Sequence, residues 1–544
     1  MASLFLRRLD VRTIIAYVVP AALWFRHLTG GKRLFVAGGL GAVSALAHAP
    51  LYIWPVLFFS FPALVWMIDG AIETSQRWTA AALISWAFGF GYFLVGLHWV
   101  GFAFVVDADR HAWLLPFVAV IFPGGLALFF AGAAIGARLQ WSNGVGRVFA
   151  LVAGLSAAEW LRGHVLTGFP WNLPGYVWSG SDSMIQTASV YGIYGLSLVT
   201  LLAVCLPAAV IDARGKAIER VWPLGLSLGL IGAFFLFGIL RVPGHAAPVF
   251  EDVALRLVQP NVPQSEKWKP ELLQRNWQLL IDLTRMPGLE ARTHVIWPEA
   301  APPFFLLSTD GGLDVIGEVL HNRALLLTGT QRFELGEPKK YFNSMATIDG
   351  AGRVLATYDK SHLVPFGEYL PLFYWLEKSG ITQLAGSNGG FSSGDGVKTI
   401  AAPGTPPFGP LICYEAIFSS AVVEDGVRPQ WLINMTDDSW FGPWAGPHQH
   451  LGIARVRAVE EGLAIARAAN TGVSAVIDPY GRIIVSLPLD ESGVVDSGLP
   501  KPLNATLFGF ARDGIFGAML LVLVGVALIL SRTSPLRQLT VTTM

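Results

Sequence analysis

Five long stretches of the chain contain no Asp, Glu, Lys or Arg: residues 34–68, 78–106, 111–137, 183–211 and 221–240. A helix needs about 20 mostly apolar residues to cross a bilayer, so each stretch can hold at least one span. The first is interrupted at Pro50-Leu51-Tyr52 and reads as two. A weaker apolar run, 148–158 extended through Trp160 and Leu161, has Glu159 inside it. The pattern predicts about seven spans before residue 244, near 33–49, 54–68, 80–103, 113–137, 147–162, 185–211 and 221–240, and a closing span near 514–531. The stretch 13–25 is apolar but short, contains Pro20 and reads as interfacial.

Between the last two spans the pattern changes. Short β-rich runs recur at Val253–Val262, Thr293–Trp297, Ala324–Thr328, Ser344–Ile348, Leu411–Tyr414, Trp431–Met435 and Ser474–Ile477. Helical patterns at Pro270–Arg285 and His448–Arg467 lie between them. Asp349-Gly350 and Tyr480-Gly481 sit between paired strand runs and read as hairpin turns. The chain thus divides into a membrane domain, 1–244, a layered α/β domain, 245–510, and a closing span with its tail, 511–544.

Charge placement orients the spans. Arg7, Arg8, Arg12, Arg26, Lys32 and Arg33 precede the first span. Alternate loops carry Arg77, then Arg138 and Arg147, then Arg214, Lys216 and Arg220, and the tail carries Arg532 and Arg537. Positive charge accumulates on the cytoplasmic side, which puts both termini there and 245–510 on the outer side. Lys+Arg and Asp+Glu both number 38, and this balance argues against a nucleic-acid binder, which needs a basic footprint. A 53% hydrophobic share with 14% charge excludes a disordered chain. Two cysteines, Cys205 and Cys413, make neither a disulfide scaffold nor a cysteine-based zinc cluster.

Cys205 lies in an apolar run and reads as a small buried hydrophobe. The segment from Glu159 to Trp171 sets an acid, a base and aromatics near one outer boundary. It reads either as an aromatic belt with a Glu–Arg pair or as a headgroup contact, since ionisable groups at membrane depth are costly. His98-Trp99 poses the same choice. In the α/β half, Glu299 follows the strand run Val295–Trp297 and Pro298. It is either a helix-start carboxylate favoured by the macrodipole or a partly desolvated general base. Lys360 is either a solvated lysine or an oxyanion stabiliser. Cys413 ends an apolar strand and is either a core residue or a nucleophile whose thiolate a cation such as Lys360 would favour.

Together these places carry more than each does alone. Trp297-Pro-Glu299, Tyr358-x-Lys360-x-His362 and Ile412-Cys-Tyr-Glu415, in that order, resemble the carbon–nitrogen hydrolase (nitrilase) superfamily. With the membrane flanks, the chain is similar to that superfamily's membrane members, the apolipoprotein N-acyltransferases. The resemblance runs from about Lys32 to the last span. It is most specific at Leu161–Trp171, Val258–Trp268, His362–Tyr369, Ile412–Glu415, Trp440-Phe-Gly442 and Gly446–His450.

The resemblance implies an αββα sandwich. Glu299 stands where that family has its base, Lys360 where it has its lysine and Cys413 where it has its nucleophile. Glu368 matches a further essential acid, and Trp268, Tyr414 and Glu415 match residues around the active site. It implies acyl transfer through a Cys413 thioester, from a phospholipid such as phosphatidylethanolamine to the α-amine of a diacylglyceryl-cysteine apolipoprotein. It also implies a monomer in the bacterial inner membrane with its catalytic domain periplasmic, using no cofactor and no metal. The aromatic segment Phe366–Leu376 is expected to be a mobile arm that gates entry. Two departures stand out: Asp437-Asp438-Ser439, where the family usually reads Asn-Asp-Ala, and Leu463-Ala464, where it often has Arg-Pro. Two rivals are a tethered amidase that passes the thioester to water and a transporter or lipid-binding scaffold with an inert outer domain.

Overall fold

The computed structural model describes residues 11–72, 77–212, 217–337, 339–371 and 390–533. The chain forms two compact units, one of residues 1–98, 116–241 and 511–544, the other of 99–115 and 242–510.

The first unit is helical. Among the described residues, six helices are long and apolar enough to cross a membrane: Trp54–Ile72, Trp78–Gly96, Ala108–Arg138, Ala188–Ile211, Val221–Arg241 and Gly514–Thr533. The stretches expected to span at 33–49 and 147–162 fall outside this set. The first forms a helix of only 15 residues, Gly30–Ser44, about 22 Å at 1.5 Å per residue and short of a bilayer core. The second, Gly146–His164, is long enough but carries buried Arg147, Glu159 and Arg162. Each of these charges has a partner. Arg147 pairs with Asp69 at 3.1 Å and with Asp212 at 2.5 Å. Glu159 pairs with Arg162, whose guanidinium lies 5.0 Å from the Phe93 ring centroid. The stretch 13–25 lies within the helix Val11–His27.

The second unit is a sandwich of two sheets. Strands β1 (Val249–Gln259), β2 (His294–Trp297), β3 (Leu325–Glu334), β4 (Lys340–Ile348), β5 (Val354–Asp359) and β11 (Gly493–Pro500) form a sheet of order β11-β1-β2-β3-β4-β5. Strands β6 (Phe408–Ile412), β7 (Trp431–Thr436), β8 (Ala464–Ala469), β9 (Ser474–Ile477) and β10 (Ile483–Leu487) form the other, in order β10-β9-β8-β7-β6. Leu255, Ile296, Leu327 and Met345 of the first sheet meet Phe408, Ile433, Ala466 and Val476 of the second in one buried core. Outside the first sheet, Trp277 and Ile281 of the helix Leu273–Thr284 and Ile316 of Gly312–Leu320 pack on Val258, Val295 and Leu326. Outside the second, Ala454 and Ala458 of Ala445–Glu461 pack on Leu432 and Ile465. Alternating side chains thus feed two faces of each sheet, giving the expected αββα layers.

The expected hairpins are present as the antiparallel pairs β4–β5 and β9–β10. One expectation needs correction. The helical pattern His448–Arg467 stops at Glu461, where Gly462 adopts φ 64°, and Ala464–Ala469 is the fully buried strand β8. Alanine favours helices intrinsically. Here, however, Ala464, Ala466 and Ala468 fill the narrow space between the sheets, and Arg467 pairs in register with Asn434 of β7. Tertiary context overrides the local preference.

Candidate active site

Parallel sheets present functional groups beyond the carboxyl ends of their strands, and the expected residues stand at such ends. Glu299 follows β2, Lys360 follows β5 and Cys413 follows β6. No helix starts at Glu299; it lies in a turn after Pro298. A Cβ on Gly329 would lie 2.6 Å from the Glu299 Cα, so the absence of a side chain lets β3 support that turn closely.

The acids and the lysine form one cluster. The Lys360 ammonium donates to Glu299 Oε1 at 3.3 Å and to Glu368 Oε1 at 3.0 Å. Asn343 of β4 donates from Nδ2 to the same two oxygens, at 2.7 and 2.9 Å. The other Glu299 oxygen accepts from the Asp437 amide at 2.9 Å, and Glu368 Oε2 accepts from the Val364 amide at 2.8 Å. Lys360 is 1% exposed, so it is no solvated surface lysine.

Burial pushes the Glu299 carboxyl above its usual range; Glu368 and Asp437 push the same way, against Lys360 and Asn343. Such a carboxylate is a stronger base than a free one. For Lys360, burial favours the neutral amine, but Glu368 and Glu299 outweigh it and keep the ammonium. For Cys413, burial and then Glu299 raise the thiol well above its ordinary value. Lys360 and a hydrogen bond from Thr436 act the other way without prevailing. The expected stabilisation of a thiolate by Lys360 exists but is overridden by burial and by the Glu299 charge. At rest the sulfur carries its proton.

Cys413 is buried and has φ 49°, the left-handed region, which costs an L-residue about 1–2 kcal/mol. Glu415, two residues on, braces this turn. Its Oε2 accepts from the Ile412 amide at 2.8 Å. Its Oε1 accepts from the Tyr358 hydroxyl at 2.7 Å, from the Ser361 amide and hydroxyl at 2.8 Å each, and from the His362 amide at 3.3 Å. The carboxylate therefore ties the nucleophile turn to the segment that carries Lys360. Tyr414 packs between His362 and Phe418. Trp268 stands at the end of the short helix Gln264–Lys267 and is 36% exposed. Its neighbour Lys267 reaches inward, donating to the Glu299 main-chain oxygen at 3.0 Å and pairing with Asp437 Oδ2 at 2.7 Å.

The last pair accounts for one departure from the family pattern: an acid at 437 is neutralised by Lys267. The other departure, Leu463-Ala464, enters the buried start of β8. Of the expected aromatic segment, Phe366 and Tyr369 are described, with Phe366 half-exposed; Phe373, Tyr374 and Trp375 lie outside the described residues. Asn343 and the inward role of Lys267 were not expected. Asn343 lies on the face of β4 that alternation assigns to the sandwich interior, but nothing in the residue type announced its partners. Among the described residues no cluster of His, Cys, Asp and Glu could hold a metal ion.

The sequence profile described as apolipoprotein N-acyltransferase N-terminal domain matches residues 40–206, and that described as carbon-nitrogen hydrolase matches residues 255–500. The apolipoprotein N-acyltransferase of Rhodopseudomonas palustris is 44% identical over 518 residues, covering 93% of this chain and 96% of that protein. That of Bradyrhizobium diazoefficiens is 44% identical over 516 residues, covering 92% and 95%. Among solved structures, an amidase of the nitrilase superfamily from Nesterenkonia is 19% identical, covers 51% of this chain and 100% of its own, and has a TM-score of 0.36.

Proposed function

Because this chain belongs to the apolipoprotein N-acyltransferase family, we propose that it moves a fatty acyl group from a membrane phospholipid to the N-terminal α-amine of a diacylglyceryl-cysteine apolipoprotein, through a thioester on Cys413. The observation that carries the residue roles is the buried cluster in which Glu299 and Glu368 both accept from the Lys360 ammonium and from Asn343, with Glu299 and Lys360 acting on the Cys413 thiol.

In the first half-reaction Glu299 takes the Cys413 proton as the sulfur attacks the ester carbonyl. The new C–S bond forms, and the negative charge passes to the carbonyl oxygen, where Lys360 stabilises it. Collapse of this intermediate breaks the ester C–O bond, and the proton on Glu299 goes to the departing lysophospholipid oxygen. In the second half-reaction the acceptor amine attacks the thioester, Glu299 takes the amine proton, and that proton returns to the sulfur as the C–S bond breaks. A covalent intermediate of this kind gives ping-pong kinetics. Glu368 and Asn343 hold the base and the lysine, and Glu415 holds the nucleophile turn.

The same reading places phosphatidylethanolamine as donor, a monomer as the working unit, and the bacterial inner membrane as the location, with the catalytic domain periplasmic. It also takes 1–244 as the membrane domain, 245–510 as the catalytic domain and 511–544 as the closing span with its tail. Acyl-anchored substrates suit a membrane enzyme, since each buried CH₂ holds a lipid to the bilayer by about 0.8 kcal/mol.

The test is intact-mass and peptide mass spectrometry of the full-length chain after incubation with phospholipid. One added acyl group on the Cys413 peptide is expected, none in Cys413→Ala, and prompt discharge onto a diacylglyceryl-cysteine peptide amine. Absence of the adduct, or discharge to water as fast as to the amine, would overturn the proposal, the latter in favour of an amidase.

A further inference from the structure

The turn that carries Glu299 is strained, and one buried lysine holds it at two points. Ala300, the next residue, has φ 45°, a left-handed conformation that is costly for an L-residue. β3 approaches the turn so closely that a Cβ on Gly329 would lie 2.5 Å from the Pro298 oxygen and 2.7 Å from the Ala300 nitrogen. The Ala301 amide donates to the Gly329 carbonyl at 3.0 Å. The other main-chain partner of the turn is a side chain. Lys267 is buried, and its ammonium donates at 3.0 Å to the Glu299 carbonyl, the oxygen of the peptide that leads into Ala300.

The same ammonium pairs with Asp437 Oδ2 at 2.7 Å, and the Asp437 amide donates to Glu299 Oε2 at 2.9 Å. The hydrogen bonds therefore start at the Glu299 main chain, run through Lys267 and Asp437, and return to the Glu299 carboxylate. Further bonds fix each corner. Asp437 Oδ1 accepts from Asn470 Nδ2 at 3.0 Å and from the Ser439 amide and hydroxyl at 3.2 and 2.5 Å. Asn470, buried just past β8, donates to the Val262 carbonyl at 2.6 Å and accepts from the Val262 amide at 3.0 Å. Asn276, buried on the helix Leu273–Thr284, donates to the Lys267 carbonyl at 3.3 Å.

We propose that Lys267 is a positioning residue of the acyl transfer. It fixes the main chain of the base directly and the carboxylate of the base through Asp437, so that both half-reactions depend on it and phospholipid binding does not. The rival reading is that Lys267 only neutralises a buried acid. Three observations favour positioning. The second bond of the ammonium goes to the carbonyl of Glu299 itself, not to another acid. That bond falls on the peptide that enters the strained residue. The Asp437 group that touches Glu299 is its main-chain amide, which requires a held backbone rather than a charge. A buried polar network of this kind imposes one geometry when its members are partnered.

This inference rests on Glu299 serving as the base in both half-reactions. The experiment uses the full-length chain in detergent and compares the wild type, Lys267→Met, and Lys267→Met combined with Asp437→Asn. Rates are taken on the alkaline plateau, where Glu299 is ionised and shifts in its pKa do not enter. Lys267→Met removes the donor to the Glu299 carbonyl and leaves Asp437 buried without its cation. Single-turnover acylation of Cys413 by phospholipid should fall about 10- to 100-fold, the scale of a misplaced catalytic group. Discharge of the acyl-enzyme onto a diacylglyceryl-cysteine peptide should fall by a similar factor, with the steady-state KM for phospholipid within about twofold.

The double variant separates the two readings. With both charges gone no buried ion is left unpaired, so the thermal unfolding midpoint, lowered in Lys267→Met, should return close to the wild-type value. The Glu299 carbonyl still lacks its donor, so both rates should stay low. Rates that recover together with the stability would mean that Lys267 only balances Asp437, and would overturn the inference. Wild-type rates in Lys267→Met, a loss confined to one half-reaction, or a raised KM with unchanged kcat would each overturn it as well. If Lys267→Met alone does not fold, the double variant still decides: slow half-reactions support positioning and wild-type rates refute it. A wild-type chain that forms no Cys413 adduct overturns the proposed function, and this inference with it.

Discussion

Asn343 donates two hydrogen bonds from one nitrogen to two carboxylates, and Asn343→Leu removes both with little change in volume. A hydrogen bond to a charged group is worth about 1.5–3 kcal/mol. The bond to Glu299 favours its ionised form, acting against the burial that raises its pKa. Losing it should raise the Glu299 pKa further, since the ionised form loses its partner. The sign follows from the role of Glu299: as a base it must be ionised, so the acid limb of kcat/KM tracks its pKa. In the wild-type chain that limb should lie above the ordinary glutamate value of 4.5.

In Asn343→Leu the limb should move to higher pH, so the rate on it falls about 10- to 100-fold at fixed pH, the worth of the lost bond, and recovers on the alkaline plateau. The assay is acyl transfer to a diacylglyceryl-cysteine peptide across the pH range, in detergent, with thermal unfolding run in parallel. A loss of equal size at every pH would mean that Asn343 serves geometry alone. An unmoved limb would mean that Glu299 is not the titrating base. Either result refutes the reasoning.

Three further outcomes are expected. Glu415→Gln forces an amide N–H₂ to face either the Ile412 amide or the four donors at Oε1; kcat should fall about 100-fold, corresponding to about 2.7 kcal/mol, and a wild-type kcat would rule out the brace. Asp437→Asn removes a charge that raises the Glu299 pKa, so the acid limb should move down, opposite to Asn343→Leu, while thermal stability drops because Lys267 loses its buried partner. Arg256→Met is a control outside the site: Arg256 is fully buried and donates to Asp496 at 2.8 Å through two nitrogens and to the Thr284, Met286 and Pro287 main-chain oxygens, so unfolding should become easier by about 1–3 kcal/mol while KM and the acid limb stay where they are.

The legibility of this chain in sequence differed by element, for physical reasons. The sandwich was readable because its strands alternate between two buried faces, and Glu299, Lys360 and Cys413 each stand just past a strand end. The span count was less readable. Gly146–His164 has the length of a span, but its Arg147 finds acids on other segments and its Glu159 and Arg162 pair with each other, which linear hydropathy does not see. Strand β8 was hidden by its alanines. Asn343 acts through a bifurcated donation that residue type alone does not announce.

The charge pattern of the site also explains why a neutral thiol suits this chemistry. Glu299 and Glu368 share one Lys360 ammonium, leaving one negative charge in excess within a buried space. A preformed thiolate would add a second, at a cost that grows steeply as the effective dielectric falls. Moving the Cys413 proton onto Glu299 instead creates a thiolate and removes a carboxylate in the same event. The excess stays at one charge and only changes place. Attack on the ester then carries that charge from sulfur to the carbonyl oxygen, and collapse passes it to the leaving oxygen, which the proton on Glu299 quenches as the carboxylate is restored. When the amine attacks, the neutral nucleophile develops positive charge as the carbonyl oxygen develops negative charge, and Glu299 relieves the former. At no stage must the buried site hold a net charge different from the one it holds at rest. This accounts for a base with a raised pKa, a lysine that stays protonated and a thiol that waits for its substrate.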